Sequence, residues 1–168
     1  TVTAFINKSP AATTKLRSAS STLVTPIKNG IASFAGLYIN EAGGPYQLYF
    51  VCDLSFLPEF PLTQDGTSLP TIYSNEYYIS IGPPSKLTFV TGTELKSDVV
   101  YAGEYFISVP RIEVKDAGNN IVVEDFTSAI RATISDNPSK SVLGDPGSLF
   151  PVASAGIVTF STLKIDKA

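Results

Sequence analysis

Residues 30–42 read GIASFAGLYINEA and residues 156–168 read GIVTFSTLKIDKA, so the chain contains one pattern twice, at an offset of 126 positions. Apolar side chains alternate within each copy, as in Val158 and Phe160, which is typical of β-strands that bury one face. The phase slips by one before Leu163 and Ile165, which predicts a bulge or kink. The identical positions are Gly30, Ile31, Phe34, Leu37, Ile39 and Ala42, which match Gly156, Ile157, Phe160, Leu163, Ile165 and Ala168.

A second pair of segments extends the repeat. Residues 2–10, VTAFINKSP, align with residues 130–138, IRATISDNP, at an offset of 128, and the loops that follow are 19 residues long in one copy and 17 in the other. Length differences of this kind belong in loops. The chain therefore holds about one and a third copies of a unit near 126 residues long, which is too long for a solenoid repeat and fits a string of whole domains.

The boundary between the two copies is predicted at residues 82–85, GPPS, a short stiff linker. Residues 1–82 then form a repeat that lacks its opening strands, and residues 83–168 form a repeat that lacks its closing strands. We expect the chain to be a fragment or a mature product of something longer, because it contains no Met and its first segment reads like the middle of a strand.

Strand patterns recur along the whole chain. Period-two alternation marks residues 46–52, 77–81, 86–90 and 111–115, whereas 12 Pro and 12 Gly interrupt the sequence too often for long helices. One complete unit would carry about seven or eight strands. The sequence predicts an all-β protein, specifically an immunoglobulin-like antiparallel β-sandwich built as tandem or strand-exchanged partial repeats.

The order of these segments resembles a recurring Ig-like repeat of large secreted and surface proteins of microbes. The resemblance implies tandem modules in stalks, adhesins or extracellular filaments, located outside the cell or on its surface, with no shared catalytic site. The segment at residues 55–75 is longer than the connection usual in that pattern. The segments that carry the resemblance are PSKLTF (84–89), IEVKDAGNN (112–120), DNPS (136–139), GIVTF (156–160), LKIDKA (163–168) and AGGPYQL (42–48).

Composition argues against several function classes. The net charge of -3 provides no basic footprint for nucleic acid, and no apolar run is long enough to span a membrane. The chain has no His, so the usual proton shuttle at neutral pH is missing. The oxygens of Asp116, Asn119 and Asn120 could bind calcium, but turn formation explains them equally well. We therefore expect no enzyme activity, no catalytic residue, no cofactor and no metal site.

Two candidate sites remain. Asn7 begins the glycosylation acceptor Asn7-Lys8-Ser9, which Pro10 could hinder. The long segment at residues 55–75 carries too much apolar surface to stay in water, so it either folds back on its own domain or packs on a neighbouring unit. The second alternative makes its apolar side chains candidate assembly contacts, namely Phe56, Leu57, Phe60, Leu62, Leu69 and Ile72.

The leading hypothesis is a structural repeat unit of an extracellular filament or surface stalk, whose partners are copies of itself joined head to tail, covalently or by strand donation. The rival hypothesis is an adhesin or carbohydrate-binding module that takes glycans on exposed tyrosines. Cys52 is the single cysteine and is either a small buried hydrophobe or a link to another chain. The tyrosines are Tyr73, Tyr77, Tyr78, Tyr101 and Tyr105.

Overall fold

A computed structural model describes residues 1–53, 71–95, 99–144 and 149–167. Within these residues the regular elements are all β-strands, which confirms the prediction of an all-β chain, and no helix is long and apolar enough to cross a membrane. The strands are β1 Val2–Lys8, β2 Arg17–Ser18, β3 Val24–Thr25, β4 Ile27–Lys28, β5 Ile31–Ala32, β6 Leu37–Tyr38, β7 Gly43–Cys52, β8 Ile72–Tyr73, β9 Tyr77–Ile79, β10 Lys86–Phe89, β11 Arg111–Lys115 and β12 Ile157–Thr159.

The chain divides into two compact units, Thr1–Ser80 (unit 1) and Ile81–Ala168 (unit 2). The boundary predicted at residue 82 lies close to this division, but the Gly-Pro-Pro stretch belongs to unit 2. The backbone N–H of Gly82 donates to Oδ2 of Asp116 at 2.9 Å, and that of Ser85 donates to the carbonyl of Lys115 at 2.8 Å. That each unit is a partial Ig-like repeat stays a prediction.

Unit 1 is organised around an antiparallel sheet in the order β3-β1-β7-β8, with β9 also paired to β7. The β1–β7 register places Ala4 opposite Phe50 and Ile6 opposite Leu48, with an irregularity before Lys8. The alternation of β7 directs Tyr46 and Leu48 inward, where both are buried. Short pairs β2–β6 and β4–β5 complete the described part of the unit.

Unit 2 contains the antiparallel sheet β10-β11-β12. Its core is a cluster formed by Val114, Ala153, Val158, Phe160 and Leu163. Each fully buried apolar side chain of this size contributes about 1.5–3 kcal/mol relative to exposure. Most of this cluster comes from the second copy of the repeat, with Val114 supplied by β11, so the opening strands hold the repeated segment in place.

The sequence repeat corresponds to a repeated hydrogen-bond framework. In unit 1 the N–H of Ala4 donates to the carbonyl of Leu23 at 2.9 Å. At the aligned positions of unit 2, the N–H of Ala132 donates to the carbonyl of Leu149 at 3.2 Å. The first strand of each copy therefore lies beside the same later segment of its copy.

The hairpin turns that follow are also alike. In unit 1, Asn29 and Gly30 have φ of 50° and 77°, and the aligned Ala155 and Gly156 have φ of 50° and 73°. Two successive positive φ angles are the signature of a tight hairpin turn of type I′. Both copies thus contain the same strand and the same hairpin, and they differ in what packs on them.

Candidate functional site

The repeated hairpin is covered in unit 2 and open in unit 1. In unit 2, β11 pairs with β12 so that Glu113 faces Ile157, and the N–H of Val114 donates to the carbonyl of Gly156 at 2.8 Å. In the described part of unit 1, the aligned strand β5 pairs with β4 alone. We call the strand edge at residues 30–33 the hairpin edge.

Burial follows this difference. Val158 and Phe160 in unit 2 are 0% and 3% exposed, whereas the aligned Ala32 and Phe34 are only half-buried. Ile31 is 66% exposed although its counterpart Ile157 is identical in sequence and partly covered. The hairpin edge therefore presents apolar side chains beside the backbone of Gly30 and Ala32, which pairs with no described strand on the side away from β4. Such an edge is the usual template for pairing with a further strand.

The surroundings of the two turn glycines show the same difference between the covered and the open hairpin. A Cβ placed on Gly156 would lie 2.5 Å from the carbonyl oxygen of Val122, whereas one placed on Gly30 would meet no atom within 4 Å. Both glycines have a positive φ, so their backbone requirement is the same. The space above the turn is filled in unit 2 by Ile121 and Val122, which follow β11 in sequence, whereas no described atom lies there in unit 1.

A second edge is covered in unit 1 and open in unit 2. In unit 1, β1 has β3 on one side and β7 on the other. The aligned residues 130–135 of unit 2 bond to residues 149–151 on one side, through the N–H groups of Ile130 and Ala132. Among the described residues, the N–H groups of Arg131 and Thr133 make no hydrogen bond. We call the open backbone edge of the extended segment at residues 130–135 the groove edge.

An apolar groove of about 490 Å³ runs along the groove edge. Its floor includes Phe160, Leu163 and Ile165, whose counterparts in unit 1 are Phe34, Leu37 and Ile39. In unit 1, β7 lies over that floor: the rings of Phe34 and Phe50 are 5.4 Å apart, and Leu48 lines a cavity of about 410 Å³ together with Leu37 and Ile39. The groove thus occupies the place that the inward side chains of β7 fill in unit 1.

The predicted glycosylation residue lies on the surface of unit 1. Asn7 is exposed on β1, and its Nδ2 donates to Oε1 of Gln47 at 2.6 Å. The same nitrogen would carry a sugar, so an attached glycan would have to share or replace that hydrogen bond. Glycosylation of Asn7 stays a prediction.

The candidate assembly contacts of the long segment fall mostly outside the described residues. Phe56, Leu57, Phe60, Leu62 and Leu69 lie there, so the choice between folding back and packing on a neighbour stays open. Ile72 is described: it lies in β8, pairs with Phe50 of β7 and is 63% exposed. It belongs to the edge of the unit 1 sheet.

The acidic turn weighed as a calcium site is held by protein hydrogen bonds. Oδ1 and Oδ2 of Asp116 accept from Nδ2 of Asn120 at 3.1 and 3.0 Å, and Oδ2 also accepts from the N–H of Gly82. These bonds, led by that of Asn120, lower the pKa of Asp116 to about 2. Within the described residues no group of His, Cys, Asp or Glu could hold a metal ion.

Two other carboxylates of unit 2 are also stabilised in the charged form. Hydrogen bonds from Ser128 and Thr127 lower the pKa of Asp125. Nζ of Lys115 lies 2.6 Å from Oε2 of Glu113, and this contact lowers the pKa of Glu113. In unit 1 the pKa shifts go in the opposite direction: burial raises the pKa of Tyr46 and of Tyr77.

The tyrosines of the glycan hypothesis are divided between the units. Tyr73, Tyr77 and Tyr78 belong to unit 1, whereas Tyr101 and Tyr105 belong to unit 2. The ring of Tyr73 lies 6.2 Å from that of Tyr49, and the ring of Tyr77 lies 6.0 Å from that of Tyr46. These contacts match the packing role that tyrosine commonly has on sheets.

Cys52 ends β7 opposite Val2 and is a half-buried free thiol. Because the side chain is neither deeply buried nor fully exposed, its burial does not decide between a small buried hydrophobe and a link to another chain.

The two open edges were not named from the sequence, although the repeat contained the signal. Residues 30–33 and 156–159 share one turn pattern, but β11 pairs with the second copy and, among the described residues, no strand of that kind pairs with the first. Aligning the copies and asking which flanking strands each one lacks would have located both edges. Comparisons with protein-family models, with curated proteins and with solved structures find no match for this chain.

Proposed function

We propose that this chain is a structural repeat unit of an extracellular filament or surface stalk, in which immunoglobulin-like β-sandwich modules assemble head to tail. One observation carries the proposal: within the part of the chain that the structure describes, the two units share a hydrogen-bond framework and pair different edges of it. The family resemblance, which rests on the sequence segments described above, supports the extracellular or cell-surface location.

The open edges are complementary in kind. Among the described residues, β7 pairs with β1 in unit 1 and β11 pairs with β12 in unit 2, and neither pairing has a described counterpart at the aligned position of the other unit. Contacts between unlike surfaces of successive copies give open filaments when the rotation from one copy to the next does not close a ring. A module with two unlike open edges is therefore compatible with a filament.

An adhesin or carbohydrate-binding module is the second candidate. Tyr78 and Tyr73 are largely exposed in unit 1, and exposed tyrosine rings are suitable for stacking on sugars. A glycan-array screen separates the two functions, because a structural module should bind no glycan above background.

Electron microscopy of the native material, together with its intact mass under denaturing conditions, tests the proposed function. Filaments built of roughly 18 kDa subunits support polymerisation of separate chains, and filaments of one very long chain support covalent tandem repeats. Isolated particles of the single chain contradict an assembly function.

A matched pair of variants tests whether the hairpin edge takes part. Ile31→Lys places a charge on that edge, and Ile107→Lys makes the same change in unit 2 at a residue that is 93% exposed, compared with 66% for Ile31. Light scattering should show that Ile31→Lys reduces the assembled fraction and that Ile107→Lys does not. Equal effects of the two variants would remove the hairpin edge from the proposal.

A further inference from the structure

We infer that Asn29 is a site of spontaneous modification, where the side-chain amide is lost and aspartate or isoaspartate takes its place. Asparagine is a chemically labile residue, and it loses ammonia most readily where glycine follows. Of the asparagines in this sequence, only Asn29 is followed by glycine, Gly30. The inference concerns the β4–β5 hairpin itself and holds whether or not copies of the chain assemble.

The reaction needs only this chain and water. The backbone nitrogen of Gly30 attacks Cγ of Asn29, so that a new carbon–nitrogen bond closes a succinimide ring. The bond from Cγ to Nδ2 breaks, and the side-chain nitrogen leaves as ammonia with the proton of the Gly30 N–H. Water then opens the ring at either carbonyl, which gives aspartate or isoaspartate, and no atom is oxidised or reduced.

The attacking nitrogen of Gly30 is unhindered. A Cβ placed on Gly30 would meet no described atom within 4 Å, so nothing crowds the approach of the nitrogen to Cγ. In the hairpin, Lys28 pairs with Ile31, which leaves the N–H of Gly30 outside the β4–β5 ladder. Among the described residues, that N–H donates no hydrogen bond.

The side-chain amide of Asn29 is also accessible. Asn29 is exposed, and within the part of the chain that the structure describes its amide group makes no hydrogen bond. This exposure is a property of the turn position, because the aligned Ala155 is exposed even though its neighbour Gly156 is buried. The amide carbon of Asn29 is therefore open to the attacking nitrogen, and the ring that forms is open to water.

Asn119 provides a contrast within the same chain. It is exposed and has a positive φ of 80°, and Asn29 likewise has a positive φ of 50°. The residue that follows it is Asn120, whose side chain would crowd ring closure. The N–H of Asn120 donates to Oδ1 of Asp116 at 2.8 Å. Because this bond holds the nitrogen that would attack, we expect Asn119 to stay intact while Asn29 reacts.

The two products should affect the hairpin differently. Aspartate followed by glycine suits a type I′ turn as asparagine does, so this product keeps the turn and adds one negative charge. Isoaspartate carries the chain through its side-chain carbon and so inserts a methylene group into the turn. The pairing of Lys28 with Ile31 depends on the length of that turn, so isoaspartate should disrupt the β4–β5 hairpin.

Ageing of the folded 168-residue chain in heavy-oxygen water tests the inference. Peptide mapping by mass spectrometry, after digestion in ordinary water, shows which residues reacted during the incubation, because the water that opens the ring labels them. An isoaspartate-specific methyltransferase measures the isoaspartate fraction. We expect labelled product at Asn29, formed faster as the pH rises because the attacking nitrogen must lose its proton. Its rate should exceed that at Asn119 about tenfold or more.

A substitution in unit 2 supplies a matched control. Ala155→Asn places the same dipeptide in a turn with φ of 50° and 73°, and asparagine adopts a positive φ more readily than alanine. In that turn the N–H of Gly156 donates to the carbonyl of Asp125 at 3.0 Å, so its nitrogen is held. We expect the substituted position to react about fivefold or more slowly than Asn29.

Either of two results overturns the inference. The first is a rate at Asn29 no higher than that at Asn119 in the folded chain. The second is an equal rate at Asn29 and at the substituted position of Ala155→Asn, which would show that the free nitrogen of Gly30 does not govern the reaction. In urea these last two rates should converge, because unfolding frees both nitrogens. If Ala155→Asn fails to fold, the comparison with Asn119 in the unchanged chain decides.

Discussion

The two turn glycines allow the covered and open states of the repeated hairpin to be compared by one substitution. Gly156→Ala and Gly30→Ala introduce the same methyl group at the same φ region, so both incur the cost of a left-handed alanine, about 1–2 kcal/mol. Only Gly156→Ala also places that methyl 2.5 Å from a backbone carbonyl, that of Val122. Because a backbone atom cannot move aside as a flexible side chain can, this overpacking adds about 1–3 kcal/mol.

Unit 2 should therefore lose about 2–5 kcal/mol with Gly156→Ala, and unit 1 no more than about 1–2 kcal/mol with Gly30→Ala. For domains of this size the difference corresponds to a fall in Tm larger by at least about 4 °C. Hydrogen exchange resolved by residue assigns the loss to a unit, with the amide of Val114 reporting on unit 2 and that of Ala4 on unit 1. Equal losses of stability in the two units would refute the conclusion that the hairpin turn at Gly156 is covered and the one at Gly30 is not.

Three further predictions concern the stability of the separate units. The pKa of Asp116 is about 2 in the folded chain, below its ordinary value, so the stability that its carboxylate contributes is complete above about pH 4 and is lost as the pH falls through about 2. In urea unfolding, Asp116→Asn should therefore lose less stability between pH 5 and pH 2 than the unchanged chain does. An equal loss of stability in the two proteins would contradict the hydrogen-bonded turn. Tyr46→Phe removes a hydroxyl that donates to the carbonyl of Glu41 at 2.9 Å. Chemical denaturation should show that unit 1 loses about 0.5–1.5 kcal/mol of unfolding free energy, and an unchanged unfolding free energy would mean that this hydrogen bond does not stabilise the unit. Leu163→Ala removes a buried side chain of unit 2 and should lower the unfolding free energy by about 2–5 kcal/mol, whereas the aligned Leu37→Ala, at a half-buried position, should lower it clearly less. A larger loss with Leu37→Ala would contradict the assignment of Leu163 to the core.

Local patterns in the sequence predicted much of the strand content. The alternation at residues 86–90 and 111–115 corresponds to β10 and β11, and that at residues 46–52 lies within β7. Such strands are found from sequence because period-two alternation depends only on which face is buried. The stretch at residues 77–81 ends as a strand at Ile79, and the alternating residues 130–134 form no regular strand in unit 2. A pattern of alternation does not show whether a neighbouring strand is present to complete the pairing.

For the same reason, the sequence alone did not predict which of two repeated positions is buried. Ile31 and Ile157 are the same residue in the same pattern, and Gly30 and Gly156 have the same turn geometry. Their exposure differs because β11 lies on one copy and no described strand lies on the other. The candidate edges therefore depend on tertiary pairing, which the repeat indicates only when its two copies are compared.

Concentration-dependent amide exchange on the intact chain tests most directly the proposal that this protein assembles through its open sheet edges. If copies join there, raising the protein concentration should slow exchange at Arg131 and Thr133 of the groove edge and at Ala32 of the hairpin edge, with no change at Ala132. Exchange at these three amides that stays fast and independent of concentration, while the rest of each unit is protected, would contradict the proposal.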